Sequence, residues 1–224
     1  MYELMDGTAP QVLLATEAGD SIRTVAARIQ RPYETVRQAV DRLEDAGFVD
    51  YEGGLVVTAE SVREPARELL AASARVSPPT IPEAYVLPQF CDRPYTFCRI
   101  DAVYVWTQGG YQVARDTDDY PLFVAVREDD LESWEEFFGS FDIPTAFERQ
   151  PRESITGPLQ VVLDPRPDLD VEFVEGRPVV PRDETIEYMY EHYAHFQSGL
   201  SLLDRMYDDL DLDEPYRERE RAPP

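Results

Sequence analysis

Lysine is missing from this 224-residue chain: all 21 basic residues are arginine, set against 45 Asp and Glu for a formal net charge of −24. Cysteine and histidine are scarce, at two each. Two cysteines, Cys91 and Cys98, cannot brace a disulfide scaffold, and in a cytosol they are expected to stay reduced. No apolar run approaches the roughly 20 residues of a membrane span. The opening MYELMDGTAP lacks the charged and apolar regions of a signal peptide. The expectation is therefore a soluble, cytoplasmic protein. Apolar residues are plentiful, at 43% with 13 Tyr, 10 Phe and 2 Trp, enough to pack one large or two small domains.

Such acidity without lysine resembles the proteome of an organism with a molar-salt cytoplasm, such as a halophilic archaeon. There hydrated carboxylates keep proteins dissolved, and their repulsion is screened within about 3 Å at 1 M salt. Acidic clusters such as Asp116-Thr117-Asp118-Asp119 and Asp208-Asp209 are then solvated surface. Against this background residues 22 to 42 invert the charge, with five arginines (Arg23, Arg28, Arg31, Arg37, Arg42) against Glu34 and Asp41. A basic island in an acidic chain calls for an anionic partner.

The island sits in a helix-turn-helix pattern. A first helix is expected over about residues 9 to 18, with Val12, Leu13 and Ala15 inward and Gly19 ending it. Ser21 caps the next, whose Ile22, Val25, Ala26 and Ile29 bury one face and leave Arg23, Thr24 and Arg28 outside. Arg31-Pro32-Tyr33 breaks the chain, and a helix from about Glu34 to Ala46 follows. Val36, Ala39, Val40 and Leu43 form its buried stripe, so Thr35, Arg37, Gln38, Asp41 and Arg42 face out. Gly47 stops it, and Phe48 to Thr58 reads as a hairpin turning at Glu52-Gly53-Gly54.

The phrase TVRQAVDRLEDAGFVDYEGG resembles the recognition helix and wing of winged helix-turn-helix DNA-binding proteins, a match covering about residues 9 to 58. In that family the recognition helix enters the major groove and the wing touches the backbone or minor groove. The resemblance implies double-stranded DNA as partner. It implies Tyr33, Thr35, Arg37 and Gln38 at bases and Arg23, Arg28, Arg31 and Arg42 on phosphates. The wing departs from the family pattern, because Asp50, Glu52 and two glycines give it no basic residue.

The organisation expected is α+β. It comprises an N-terminal DNA-binding domain (1–76), a Pro-rich linker (77–82), a mixed α+β sensing or interaction domain (83–214) and a charged, disordered tail (215–224). Strands are expected at 102–106, 111–114, 121–126, 159–163 and 171–174, with irregular chain at Asp164-Pro165-Arg166-Pro167. One helix should begin at a capping box of Asp129 with Glu132. Another should run from about Asp183 to Leu210 with an apolar stripe from Ile186 to Leu210, and Gly199 should mark a kink or a close packing contact. That stripe is the expected contact of a homodimer.

The C-terminal region offers three chemical readings. Gly109-Gly110 before Asp116-Thr117-Asp118 is similar to the metal-binding pattern of nucleotidyltransferases, but the spacing is short, and an acidic surface turn is the reading adopted. Cys91, Cys98, His192 and His195 could supply four zinc ligands, although neither spacing is usual for zinc. The stretch from Arg177 to Leu210 resembles that of haloarchaeal helix-turn-helix proteins and, more loosely, antitoxins of the abortive-infection type, which implies a protein toxin as an alternative partner. The adopted expectation is a transcriptional regulator, not an enzyme, without cofactor or metal.

Overall fold

The computed structural model describes residues 8–112, 120–147, 159–207 and 210. The first unit is three short helices and a hairpin: α1 (Thr8–Ala15), α2 (Ile22–Arg28), α3 (Tyr33–Asp45), β1 (Val49–Asp50) and β2 (Val56–Val57). The Ser21 hydroxyl accepts the Thr24 N–H at 3.0 Å and so starts α2. In α3 the apolar stripe Val36, Ala39, Val40 and Leu43 is buried, as its spacing requires. Gly47, at φ +76°, lets the chain leave α3, and Phe48 N–H closes back on Leu43 O at 2.8 Å. The hairpin is pinned to the turn before α2, where Gly19 N–H donates to Leu55 O at 2.9 Å and Asp20 bridges Leu55. A Cβ on Gly54 would stand 2.8 Å from Gly19 Cα, so that crossing admits no side chain.

Helix α4 (Arg63–Val76) leads to the proline-rich stretch. This stretch is shorter than expected of a linker: Thr80 and Glu83 form a capping box that starts α5 at Ile81–Ala84. The remainder is a six-stranded sheet with helices. Its elements are β3 (Tyr95–Phe97), α6 (Arg99–Trp106), β4 (Tyr120–Arg127), α7 (Leu131–Ser140), β5 (Thr145–Ala146), β6 (Leu159–Arg166), β7 (Glu172–Val174), β8 (Arg177–Val179), α8 (Arg182–Glu191) and α9 (Tyr193–Met206). The sheet order is β5-β6-β4-β3-β8-β7, with β5, β6 and β4 parallel, β3 antiparallel to β4 and parallel to β8, and β7 antiparallel to β8. Central strand β4 is buried at nearly every position, the mark of a strand covered on both faces. The mixed α and β content agrees with the α+β class.

Several local expectations are corrected. Residues 102–106 are helical in α6, not a strand, and Asp101, Ala102, Val103, Val105 and Trp106 are all buried there. A short segment buried almost all round carries no alternation by which helix and strand could be told apart. Tyr111 and Gln112 lie outside any strand, while 113–114 lie outside the described residues. Asp164 to Arg166 extends β6. Pro165 is tolerated because β5 pairs only with Val161 and Val162, so β6 is open on that side beyond them among the described residues. No capping box forms at Asp129; a 3-10 turn over Glu128–Asp130 precedes α7 instead.

The long C-terminal helix is two helices that turn at His192 (φ −115°, ψ 34°), whose Nδ1 lies 3.0 Å from Tyr188 O. Ten residues of unbroken helix would span about 15 Å. Yet a Cβ on Gly199 would meet Met189 Cε at 2.9 Å and the Tyr111 ring at 3.0 Å. Of the two expectations for Gly199, close packing is the one observed. Of the apolar stripe expected at a dimer contact, Met189, Phe196, Leu200 and Leu203 are buried within the chain, while Tyr190 is 41% exposed.

The two units touch. Arg67 Nε donates to Phe90 O at 3.0 Å, Arg28 Nε reaches Gly176 O at 3.4 Å, and one hydrophobic cluster runs from Val12 to Leu203. The charged tail lies outside the described residues.

Candidate functional site

Because its apolar stripe faces α1 and α2, α3 turns Tyr33, Glu34, Arg37, Gln38, Asp41 and Arg42 to solvent, with Thr35 half-buried beside them. Tyr33 is 47% exposed, high for so large a ring. Arg37 is held by the preceding turn: its NH2 group lies 2.8 Å from Glu34 Oε1 and its Nε 3.3 Å from Oε2. The Arg37 hydrogen bond keeps the Glu34 carboxyl below the usual carboxylate range, so the pair stays ionised. Arg42 Nε donates back to Gln38 O at 3.1 Å, and the side chain is exposed. Arg23 is exposed on α2.

The remaining two arginines are held at least partly within the fold. Arg28 is buried, at 4% exposure, and is not outside. Its NH1 donates to Ala15 O and to Asp20 Oδ2 (2.6 Å), its NH2 to Asp20 Oδ1 at 3.3 Å, and its Nε to Gly176 O at 3.4 Å. It therefore joins the end of α1, the turn before α2 and the β7–β8 turn. The helical wheel misplaced it because the end of α1 and the turn before α2 accept its guanidinium, and the β7–β8 turn packs beside Thr24 and Arg28. Arg31 is half-buried, and its Nε reaches Gln11 Oε1 at 3.4 Å on the wall of a cavity between the units. No sequence signal marked that cavity, because its walls come from distant segments.

Charge on α3 is mixed. Glu34, Asp41, Glu44 and Asp45 accompany Arg37 and Arg42 on this helix, and all six are exposed. Glu34 and Arg37 pair in its first turns, and Asp41, Glu44 and Asp45 share its C-terminal half with Arg42. Beyond it the hairpin presents Asp50, Tyr51 and Glu52 without a base.

Gly109 and Gly110 close the turn after α6, and a Cβ on Gly110 would meet Leu202 Cδ2 at 3.0 Å; Asp116-Thr117-Asp118 lies outside the described residues. Among the described residues no three of His, Cys, Asp and Glu gather as a metal site requires, so Cys91, Cys98, His192 and His195 are not brought together. Burial pushes the Cys91 thiol up to about 11 and the Cys98 thiol well above the usual range, which keeps both neutral. Fully buried Asp101 accepts the Phe123 N–H at 2.7 Å and the Tyr85 hydroxyl, and Tyr85 meets Tyr120 at 2.7 Å. Gln112 donates to Tyr120 at 2.8 Å. This network locks α5, α6 and β4 together. Among the described residues no helix is long and apolar enough to cross a membrane.

Comparison of the chain with known families, curated proteins and solved structures gives no match.

Proposed function

We propose that the chain is a sequence-specific DNA-binding transcriptional regulator of a salt-adapted cell, with its N-terminal unit a winged helix-turn-helix and α3 its recognition helix. The observation that carries this reading is the single exposed face of α3, where Tyr33, Arg37, Gln38 and Arg42 stand over a fully buried stripe. Such a helix fits the major groove, where an arginine fork bonds guanine O6 and N7 together and a glutamine amide bonds adenine N6 and N7. Arg37 and Gln38 take those roles, with Tyr33 and Thr35 beside them. Arg23 and Arg42 contact phosphates, and Arg28, sealed inside the fold, does not. In molar salt each phosphate contact gains little from counterion release, so base contacts carry a larger share of affinity.

The test is selection of bound sequences from randomised duplexes in molar KCl, followed by Arg37→Ala. A folded variant should bind the selected site roughly ten- to a hundred-fold more weakly and lose preference at one base position. Unchanged affinity and preference would remove α3 from the bases.

A second reading, protein docking through α3, draws on Glu34, Asp41, Glu44 and Asp45, four exposed carboxylates on that helix. It predicts no selected sequence at all, and the same experiment separates the two.

A further inference from the structure

Between the units lies a cavity of about 700 Å³, within the range of organic-ligand sites. Its apolar lining includes Leu70, Ala74, Val86, Leu87, Phe90 and Phe141. The α2–α3 turn, Ile29 to Arg31, closes one side with Gln11. Two charged side chains line it, Arg31 and Glu83, and they differ in availability. Oε2 of Glu83 is engaged in its capping box, accepting the Thr80 N–H at 2.8 Å and the Thr80 hydroxyl at 2.7 Å. Arg31 gives Gln11 one long bond from Nε at 3.4 Å, and its terminal nitrogens have no protein partner among the described residues.

We propose that this cavity binds an organic carboxylate with an apolar body, the carboxylate on the Arg31 fork and the body against the Leu70, Phe90 and Phe141 wall. A guanidinium has five donors in a planar fork that matches a carboxylate, and partial burial strengthens that pairing. At short range a half-buried cation on an apolar wall favours an anion over a cation, and the wall favours an apolar anion over a hydrated one. Arg31 lies two residues before Tyr33, the first residue of α3, so the bound carboxylate adjoins the start of that helix. The site stands on the cavity's own geometry, whether or not α3 reads DNA.

Calorimetry on the full chain in molar KCl, without DNA, tests this with 2-naphthoate and decanoate, and with uncharged 2-naphthalenemethanol as control. One naphthoate should bind per chain, at least ten-fold tighter than the alcohol. Arg31→Gln should erase that ratio while leaving the alcohol's affinity in place. Ala74→Trp, which fills the cavity from α4, should abolish both with circular dichroism unchanged. No saturable binding of either carboxylate to 1 mM, equal affinity for acid and alcohol, or a folded Ala74→Trp that still binds would overturn the proposal. If Ala74→Trp unfolds, the Arg31→Gln ratio decides alone.

Discussion

Helices α2 and α3 follow one another, are amphipathic with the same period and carry arginine on the face away from their shared core, yet they use that arginine in opposite ways. Arg28 on α2 is buried against Asp20, Ala15 O and Gly176 O, while Arg37 on α3 is 47% exposed with Glu34 as its partner. Local pattern is the same at both places. What differs is which acceptors the fold brings within reach: α1, the turn before α2 and the β7–β8 turn all supply them to Arg28, and that decides whether an arginine holds the fold together or remains available to a partner.

The strongest way to break the comparison is Arg28→Ala. Removing one side of a buried charge pair leaves Asp20, whose side chain is 11% exposed, without its cation and frees two backbone carbonyls. The expected cost is about 3–5 kcal/mol of stability, read as a lower denaturant midpoint in molar KCl. Any surviving folded protein should keep its sequence preference. A stable Arg28→Ala whose DNA binding alone is weakened would put Arg28 back on the phosphates.

Arg37→Ala is the reciprocal case. Its stability should barely move, because exposed ion pairs contribute little, while site affinity falls by the ten- to hundred-fold expected for a lost base contact. Arg42→Ala should have a smaller and different effect. As a phosphate contact it should weaken all duplexes alike and make the slope of log affinity against log salt shallower by about one. A change confined to one base position would instead move Arg42 among the base contacts.

How far the sequence could be read follows from the same distinction. Within the first unit the signals are local: Ser21 caps α2, the stripe of Val36 to Leu43 buries one side of α3, and Gly47 takes the positive φ that ends it. Strands β4 and β6 were legible because long runs of β-branched and aromatic residues mark buried strands. Illegible features depend on contacts far apart in the chain. Helix α6 is buried nearly all round, so its period is hidden. The turn at His192 has no Gly or Pro, and the fold-back of Gly199 onto Met189 is a tertiary contact. On the candidate face, Arg37, Gln38 and Arg42 were placeable from helical spacing, while Tyr33, read as part of the break, is the first residue of α3. Arg28 and Arg31 were not, since Gly176 and the α4–α5 segment approach them from outside the local pattern.

The smallest expected effect concerns the pair that holds Arg37 in place. Glu34 sits one helical turn before Arg37 and stays ionised through its hydrogen bonds from that guanidinium, so a base edge must compete with a carboxylate for the same fork. Glu34→Gln keeps the side chain's shape, removes the competing charge and takes one anion away from the approaching phosphates. Affinity for the selected site should therefore rise, by roughly two- to five-fold, since the exposed pair being released is weak and molar salt screens what remains. The gain should require Arg37, so adding Glu34→Gln to Arg37→Ala should recover only the part due to phosphate repulsion. Should Glu34→Gln weaken binding instead, Glu34 would be positioning the Arg37 fork or accepting from a cytosine amino group. The ion pair would then belong to the reading surface of α3.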